Sequence, residues 1–244
     1  MPHRPRRLLL SHDRSCNLSC PSCRKEPILA GKAEQERLDR LAEEVLLPLM
    51  RDARTVKVTG SGDPFGSHHF RYLLKGLGRG GAKGVKLEIQ TNGQLLDARA
   101  WDDLRLEGRV DSIWVSIDAA RAPSYERLRR GGSHARLLRN LDFIAGLRRE
   151  GRFRYFQLDT VVQAANLDEL AEIVALAREL GADLVSFQRL RNWGTFSVAE
   201  FAALDVASPA HPRHEALRAM LTQPCFAGAD IDLGNLRPSA RAWT

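Results

Sequence analysis

The chain has 244 residues, 43% of them apolar and 27% charged, with only four cysteines. These values exclude collagen-like, disordered and disulfide-dense proteins, and no run approaches the roughly 18 apolar residues that span a bilayer. The net charge of +7 comes from 37 Lys and Arg, only six of them Lys, against 30 Asp and Glu.

The arginines are scattered, without the interleaved basic and aromatic run of a nucleic-acid groove. An acidic small molecule therefore fits the charge better than nucleic acid does. The basic N-terminus is followed only by Leu8-Leu-Leu10, too short for a signal-peptide core, so the expectation is a cytoplasmic protein with no membrane segment.

In chain order the strand candidates are Arg7–Ser11, Val56–Thr59, Lys86–Thr91, Ser112–Ile117, Tyr155–Val162 and Leu184–Leu190. Between them fall the helical stretches Glu34–Arg51, His69–Leu77, Ala98–Leu106, Arg136–Arg149 and Leu167–Leu180. In the last, Asn166 and Glu169 read as an N-cap with its reach-back partner. Leu170, Ile173, Val174 and Ala177 share one face, and Gly181 ends it.

Strands separated by single helices imply right-handed crossovers and a parallel sheet, either open and doubly wound or an incomplete barrel. In both, ligands gather at the carboxyl ends of the strands. After Asn192 the rhythm stops, and Ser197–Leu204 and Pro212–Leu221 read as short helices of an extension, Trp193–Thr244, packed on a core of residues 1–192.

Cys16, Cys20 and Cys23 form Cys-x3-Cys-x2-Cys directly after the first strand, with Cys225 some two hundred positions away. Three thiolates can hold three irons of a [4Fe-4S] cluster and leave the fourth open. Structural zinc with His12 as fourth ligand is the alternative.

Further signals follow later strands: Thr59-Gly-Ser-Gly-Asp-Pro-Phe65, Gln90-Thr-Asn-Gly93, Val115-Ser-Ile-Asp-Ala119, Tyr125-Glu-Arg-Leu-Arg-Arg-Gly-Gly132 and Val161-Val-Gln163 with Asn166. Each lies where the carboxyl-end rule places a ligand. Together with the cysteines they resemble the radical S-adenosylmethionine (radical SAM) superfamily over roughly Leu8 to Asn192, close to the branch with SPASM or twitch extensions. The resemblance implies an incomplete (β/α)6 parallel barrel with a short C-terminal extension that is a lid or a degenerate twitch.

It also implies an enzyme that reductively cleaves SAM at the open iron and abstracts hydrogen with the 5′-deoxyadenosyl radical. Cys16, Cys20 and Cys23 would be the ligands, and the turn Gly60, Ser61, Gly62 and Asp63 would receive the methionyl ammonium. Ser116 and Asp118 would contact the ribose, and Arg129 the methionyl carboxylate. Asn92 and Gln163 belong to the matching segments. Gln188, Arg189 and Asn192 are candidates for adenine or substrate. Trp193 reads as core more readily than as ligand.

Three departures qualify the match. Ser22 replaces the usual aromatic residue before the third cysteine. Asp63 stands where the family has glutamate. The extension carries only Cys225, so a single cluster is expected.

Cys225 reads either as a buried small hydrophobe or as a hydrogen donor facing the substrate. A small metabolite (a sugar, nucleoside or amino-acid derivative) is the expected substrate, with flavodoxin or ferredoxin as electron donor. Peptide modification is the alternative, lowered because Cys16 leaves no room for an N-terminal leader-binding domain. A non-catalytic iron–sulfur or zinc protein is the distant one.

Overall fold

The computed structural model describes residues 5–58, 61–79 and 84–237. Seven strands form one fully parallel sheet in sequential order: β1 Arg7–Leu10, β2 Thr55–Val58, β3 Lys86–Thr91, β4 Val110–Ser116, β5 Tyr155–Val162, β6 Leu184–Arg189 and β7 Ile231–Asp232. The order never reverses, so there is no switch point of the doubly wound kind. Successive right-handed crossovers in one direction carry the helices to the same face. The sheet is an open, incomplete barrel.

Residue alternation shows which face packs. Val56, Val58, Leu87, Ile89, Ile113, Val115, Phe156, Leu158, Val185 and Phe187 are buried and belong to one core. Their alternates (Lys57, Glu88, Gln90, Trp114, Gln157 and Asp159) are only half-buried and line the concave side. The register sets Gln90, Trp114 and Gln157 side by side across β3, β4 and β5, with Ser116, Asp159 and Ser186 in the next row. A closed barrel fills its interior with branched apolar side chains. This one keeps a polar wall.

Helices α1 Lys32–Leu41 and α2 Leu47–Asp52 are joined by a π turn over Ala42–Leu46. The sequence predicts one unbroken helix here, and Pro48 explains the difference. Its ring clashes with the carbonyl four residues back, and the wider turn, marked by Leu47 N–H bonding to Ala42 O, makes room for it. Next come α3 His68–Arg79, α4 Ala98–Asp103, α5 Ala122–Leu128, α6 His134–Arg149 and α7 Leu170–Leu180.

The predicted capping of α7 is not what forms. Leu167–Glu169 is a 3-10 turn with no side-chain cap. Asn166 instead accepts from Gln163 N and donates to Asp118 O and Val161 O, while Glu169 accepts from the amides of Ala120 and Arg121. Both side chains tie β4 to β5 at the carboxyl edge. Gly181 does end α7, at φ +70°.

Among the described residues the extension packs on the core. α8 Val198–Leu204 sits at the carboxyl edge, where Leu204 O accepts from Ala164 N at 2.9 Å. The start of α9 His214–Leu221 is tied to the start of α7 by the Arg213–Asp168 ion pair, and the turn after it by Arg178 Nη2 donating to Cys225 O. The chain then returns as β7 beside β6, adding a seventh strand to the sheet. Trp193, read as core from sequence, is 71% exposed.

Phe187 on β6 meets Phe226 edge-on at 5.6 Å between centroids, fastening the extension to the sheet. Phe187→Ala is expected to cost about 4 kcal/mol in urea unfolding, the usual loss for a fully buried ring. A loss below about 1 kcal/mol would mean the extension does not depend on this contact.

Candidate active site

The loop after β1 carries the three cysteines, and hydrogen bonds fix it at several points. Cys16 N bonds to Ile28 O, Ser19 N to Arg130 O, and the amides of Cys23 and Arg24 both to Cys20 O, each at 2.9 Å. Cys16, Cys20 and Cys23 then line one cavity with Gly62, Asp63 and Arg129, and with Gln90, Asn92 and Ser116 from the ends of β3 and β4. The carboxyl-edge rule is obeyed at four successive strands.

The turn after β2 approaches this loop so closely that a side chain cannot intervene. A Cβ on Gly62 would stand 2.3 Å from Ser15 O and 2.8 Å from Asp13 O. Asp63, 1% exposed, accepts four hydrogen bonds: Oδ1 from the amides of Phe65 and Gly66, and Oδ2 from Thr91 Oγ1 and Asn92 N, both at 2.7 Å. Burial pushes its carboxyl up from the ordinary value, against the pull of those donors.

The four bonds of Asp63 join β2 to β3, and in the same turn Ser61 O accepts from Arg24 Nη2 while Asp63 O accepts from Gly66 N and Ser67 N. The Ser61 hydroxyl donates to Ser11 O at 2.7 Å. Gly60 lies outside the described residues.

Asp118 and Arg129 hold each other. Arg129 Nε is 2.8 Å from Asp118 Oδ2, while Asp118 Oδ1 accepts from Val161 N. Asp118 adopts φ +60°, uncommon for a residue with a side chain. Its carboxylate holds Arg129 in place. Burial opposes the charge of Arg129, and the Asp118 carboxylate more than offsets it, holding the guanidinium protonated. Nη1 of Arg129 points to Cys20 Sγ at 4.0 Å.

Every cluster-loop thiol faces an N–H donor. Leu18 N is 3.4 Å and Asn92 Nδ2 3.7 Å from Cys16 Sγ, and Arg24 Nη2 is 3.3 Å from Cys23 Sγ. Arg24 went unnoticed in the sequence, although a cation directly after a ligand candidate is a usable signal. Burial pushes the Cys16 thiol up to about 11 and that of Cys20 upward too, so ligation must displace their protons.

Among the described residues no three His, Cys, Asp or Glu side chains converge as a single metal ion requires. Four-iron clusters spread their ligands over separate corners, and three thiols ringed by N–H donors fit such an anionic group. His12 is not a fourth ligand. Its Nε2 shares a 2.7 Å hydrogen bond with His69 Nε2, and burial lowers both rings, His69 to about 4.

The other expected contacts stand apart from the cavity. Gln163 is buried in the turn that Asn166 closes, and Gln188 is exposed on β6. Arg189 is paired with the buried Asp205 at 2.5 Å, which anchors the extension. Asn192 braces its own loop through Phe196 O and Gly194 N. Cys225 lies by the far end of α7, near Asp230, whose carbonyl binds the start of β6 at the opposite edge of the sheet. Its half-buried side chain packs on the core.

A three-thiol cavity at the carboxyl edge of an incomplete β/α barrel defines a cluster-binding barrel protein. A family model, the Radical SAM superfamily, matches residues 10–177, and the chain belongs to that superfamily, whose members use a [4Fe-4S] cluster and SAM.

Among curated relatives, the chain is 27% identical over 186 residues to an AdoMet-dependent heme synthase of Methanosarcina barkeri, covering 75% of this chain and 50% of that protein. It is 28% identical over 183 residues to a GTP 3′,8-cyclase 1 of Mycobacterium tuberculosis, covering 72% and 49%. It thus spans about half the length of these relatives. Streptococcus suis SuiB shares the fold, with a TM-score of 0.61 at 18% identity over 94% of this chain and 49% of that one. No helix among the described residues is long and apolar enough to cross a membrane.

Asp63→Asn is expected to lower stability by about 3 kcal/mol in chemical unfolding, because one carboxamide oxygen cannot serve four donors. A variant as stable as the parent, but with weakened SAM binding by calorimetry, would assign Asp63 to the ammonium instead. Gly62→Ala should abolish iron retention after anaerobic reconstitution, since its methyl group would collide with the backbone of the cluster loop. Full retention would show that the loop yields.

Proposed function

We propose that the chain reductively cleaves SAM at one [4Fe-4S] cluster held by Cys16, Cys20 and Cys23, and abstracts hydrogen from a small metabolite. The observation that carries this reading is the gathering of those three thiols with the turn of Gly62 and Asp63, Asn92 and Arg129 around one cavity. When bound, the cluster supplies the electron that breaks the sulfonium carbon–sulfur bond, drawn from a donor such as flavodoxin or ferredoxin.

The protein's own part is positioning, charge balance and exclusion of water. Asp63 fixes the glycine turn so that its carbonyls can accept an ammonium. Arg129, kept charged by Asp118, offers its guanidinium to a carboxylate at the cavity wall. Ser116 presents a hydroxyl there for the polar parts of the nucleoside, while the Asn92 amide braces the cysteine loop through Asn17 and Cys16. The half-barrel's polar wall below the cavity, with Gln90, Trp114, Gln157 and Asp159, suits a substrate rich in hydrogen-bonding groups. That wall, and relatives named for heme synthesis and GTP cyclisation, favour a metabolite over a peptide.

Anaerobically reconstituted protein should hold about four irons per chain, and with dithionite and SAM it should release 5′-deoxyadenosine. Cys16→Ala, Cys20→Ala and Cys23→Ala should each abolish that release, whereas Cys225→Ala should leave it unchanged. One equivalent of zinc without iron would overturn the assignment, and so would about eight irons.

A further inference from the structure

Arg24 is a buried charged side chain of the cluster loop to which the proposed reaction gives no role. It is 7% exposed and immediately follows Cys23. Its Nη1 donates to Arg14 O at 2.6 Å, and its Nη2 donates to Ser61 O and faces Cys23 Sγ at 3.3 Å. No carboxylate is among its hydrogen-bond partners. A buried guanidinium without a carboxylate is costly unless another anion compensates it, and the anion that its geometry addresses is a Cys23 thiolate.

The same fork spans the structure in a second way. Arg14 belongs to the chain leading into the cysteine loop, and Ser61 to the glycine-rich turn after β2. One planar group therefore clips the loop to the turn and touches the thiol between them. Arginine has the fork for this; lysine, a single ammonium, cannot reach two carbonyls and a sulfur from fixed directions.

We propose that Arg24 is a positioning residue that raises the reduction potential of the cluster by donating an N–H to Cys23 Sγ, and that it links the cluster loop to the SAM-binding turn. The inference rests on the cluster reading given above. Its physical basis is that reduction adds negative charge to the cluster and its sulfurs, so a cation and an N–H donor at one sulfur stabilise the reduced form more than the oxidised one. Asn92 and Arg129 face the other two thiols from β3 and from the end of α5. Arg24 is the donor that comes from the loop itself and joins it to the turn.

The test is a redox titration of reconstituted full-length protein, followed by the electron paramagnetic resonance signal of the reduced cluster. It is run on the parent, Arg24→Gln and Arg24→Lys at matched iron content. In Arg24→Gln the reduction equilibrium constant should fall about tenfold, the effect of losing one charge-assisted bond, which for a one-electron couple is about 59 mV. Arg24→Lys keeps the charge but loses the fork and should fall by about threefold.

A clip with only a structural role would alter thermal stability without moving the potential. Unchanged potentials at full iron content therefore overturn the proposal, and loss of iron from both variants does so too by making the clip purely structural. A parent protein that shows no iron–sulfur signal after reconstitution fails at the cluster reading instead, before the variants are compared.

Discussion

The site depends first on one buried carboxylate. Asp63 sits between the ends of β2 and β3 and satisfies two amides of its own turn together with the hydroxyl of Thr91 and the amide of Asn92. Four donors on one carboxylate make a rigid corner, because each bond fixes a different direction. From that corner Gly62 is held against the backbone of the cysteine loop, and Asn92 turns its amide toward Cys16 and Asn17. The geometry around the three thiols is thus inherited from a residue that ligates nothing.

A second layer of polar fastening lies toward β4 and β5. Glu169 accepts from Ala120 N, Arg121 N and the Ser124 hydroxyl, and Asn166 bonds to Asp118 O. These contacts hold the left-handed turn at Asp118, and through it Arg129. Groups with obvious chemical potential are therefore used for support, while the cavity wall also offers the thiols, Ser116 and the guanidinium of Arg129. An open sheet exposes one strand face, and that face being polar is what allows the barrel to hold something other than its own side chains.

The cysteine spacing, the glycine turn and the Thr-Asn-Gly and Ser-Ile-Asp segments were legible because each is local and falls just after a strand. The roles of particular acids were not. Asp63 resembles the family's glutamate in position, but its shorter side chain stays within reach of the amides of Phe65 and Gly66 and of β3, and is used there. Arg24 escaped notice because its partners, Arg14 O and Ser61 O, are distant in sequence. Cys225 drew attention as the lone remaining thiol, yet the chain carries it along α7 to the wrong edge.

The sequence by itself determined the alternation of strands and helices, the placement of ligand candidates at carboxyl ends, and membership of the superfamily, since periodicity, turn chemistry and close spacing are properties of short segments. Only the tertiary structure decided that the sheet is singly wound and open, that Ile231–Asp232 extends it to seven strands, and which polar groups are already satisfied. Those outcomes rest on hydrogen bonds and packing between residues dozens of positions apart. A carboxylate is free for a ligand only when no such partner has reached it first.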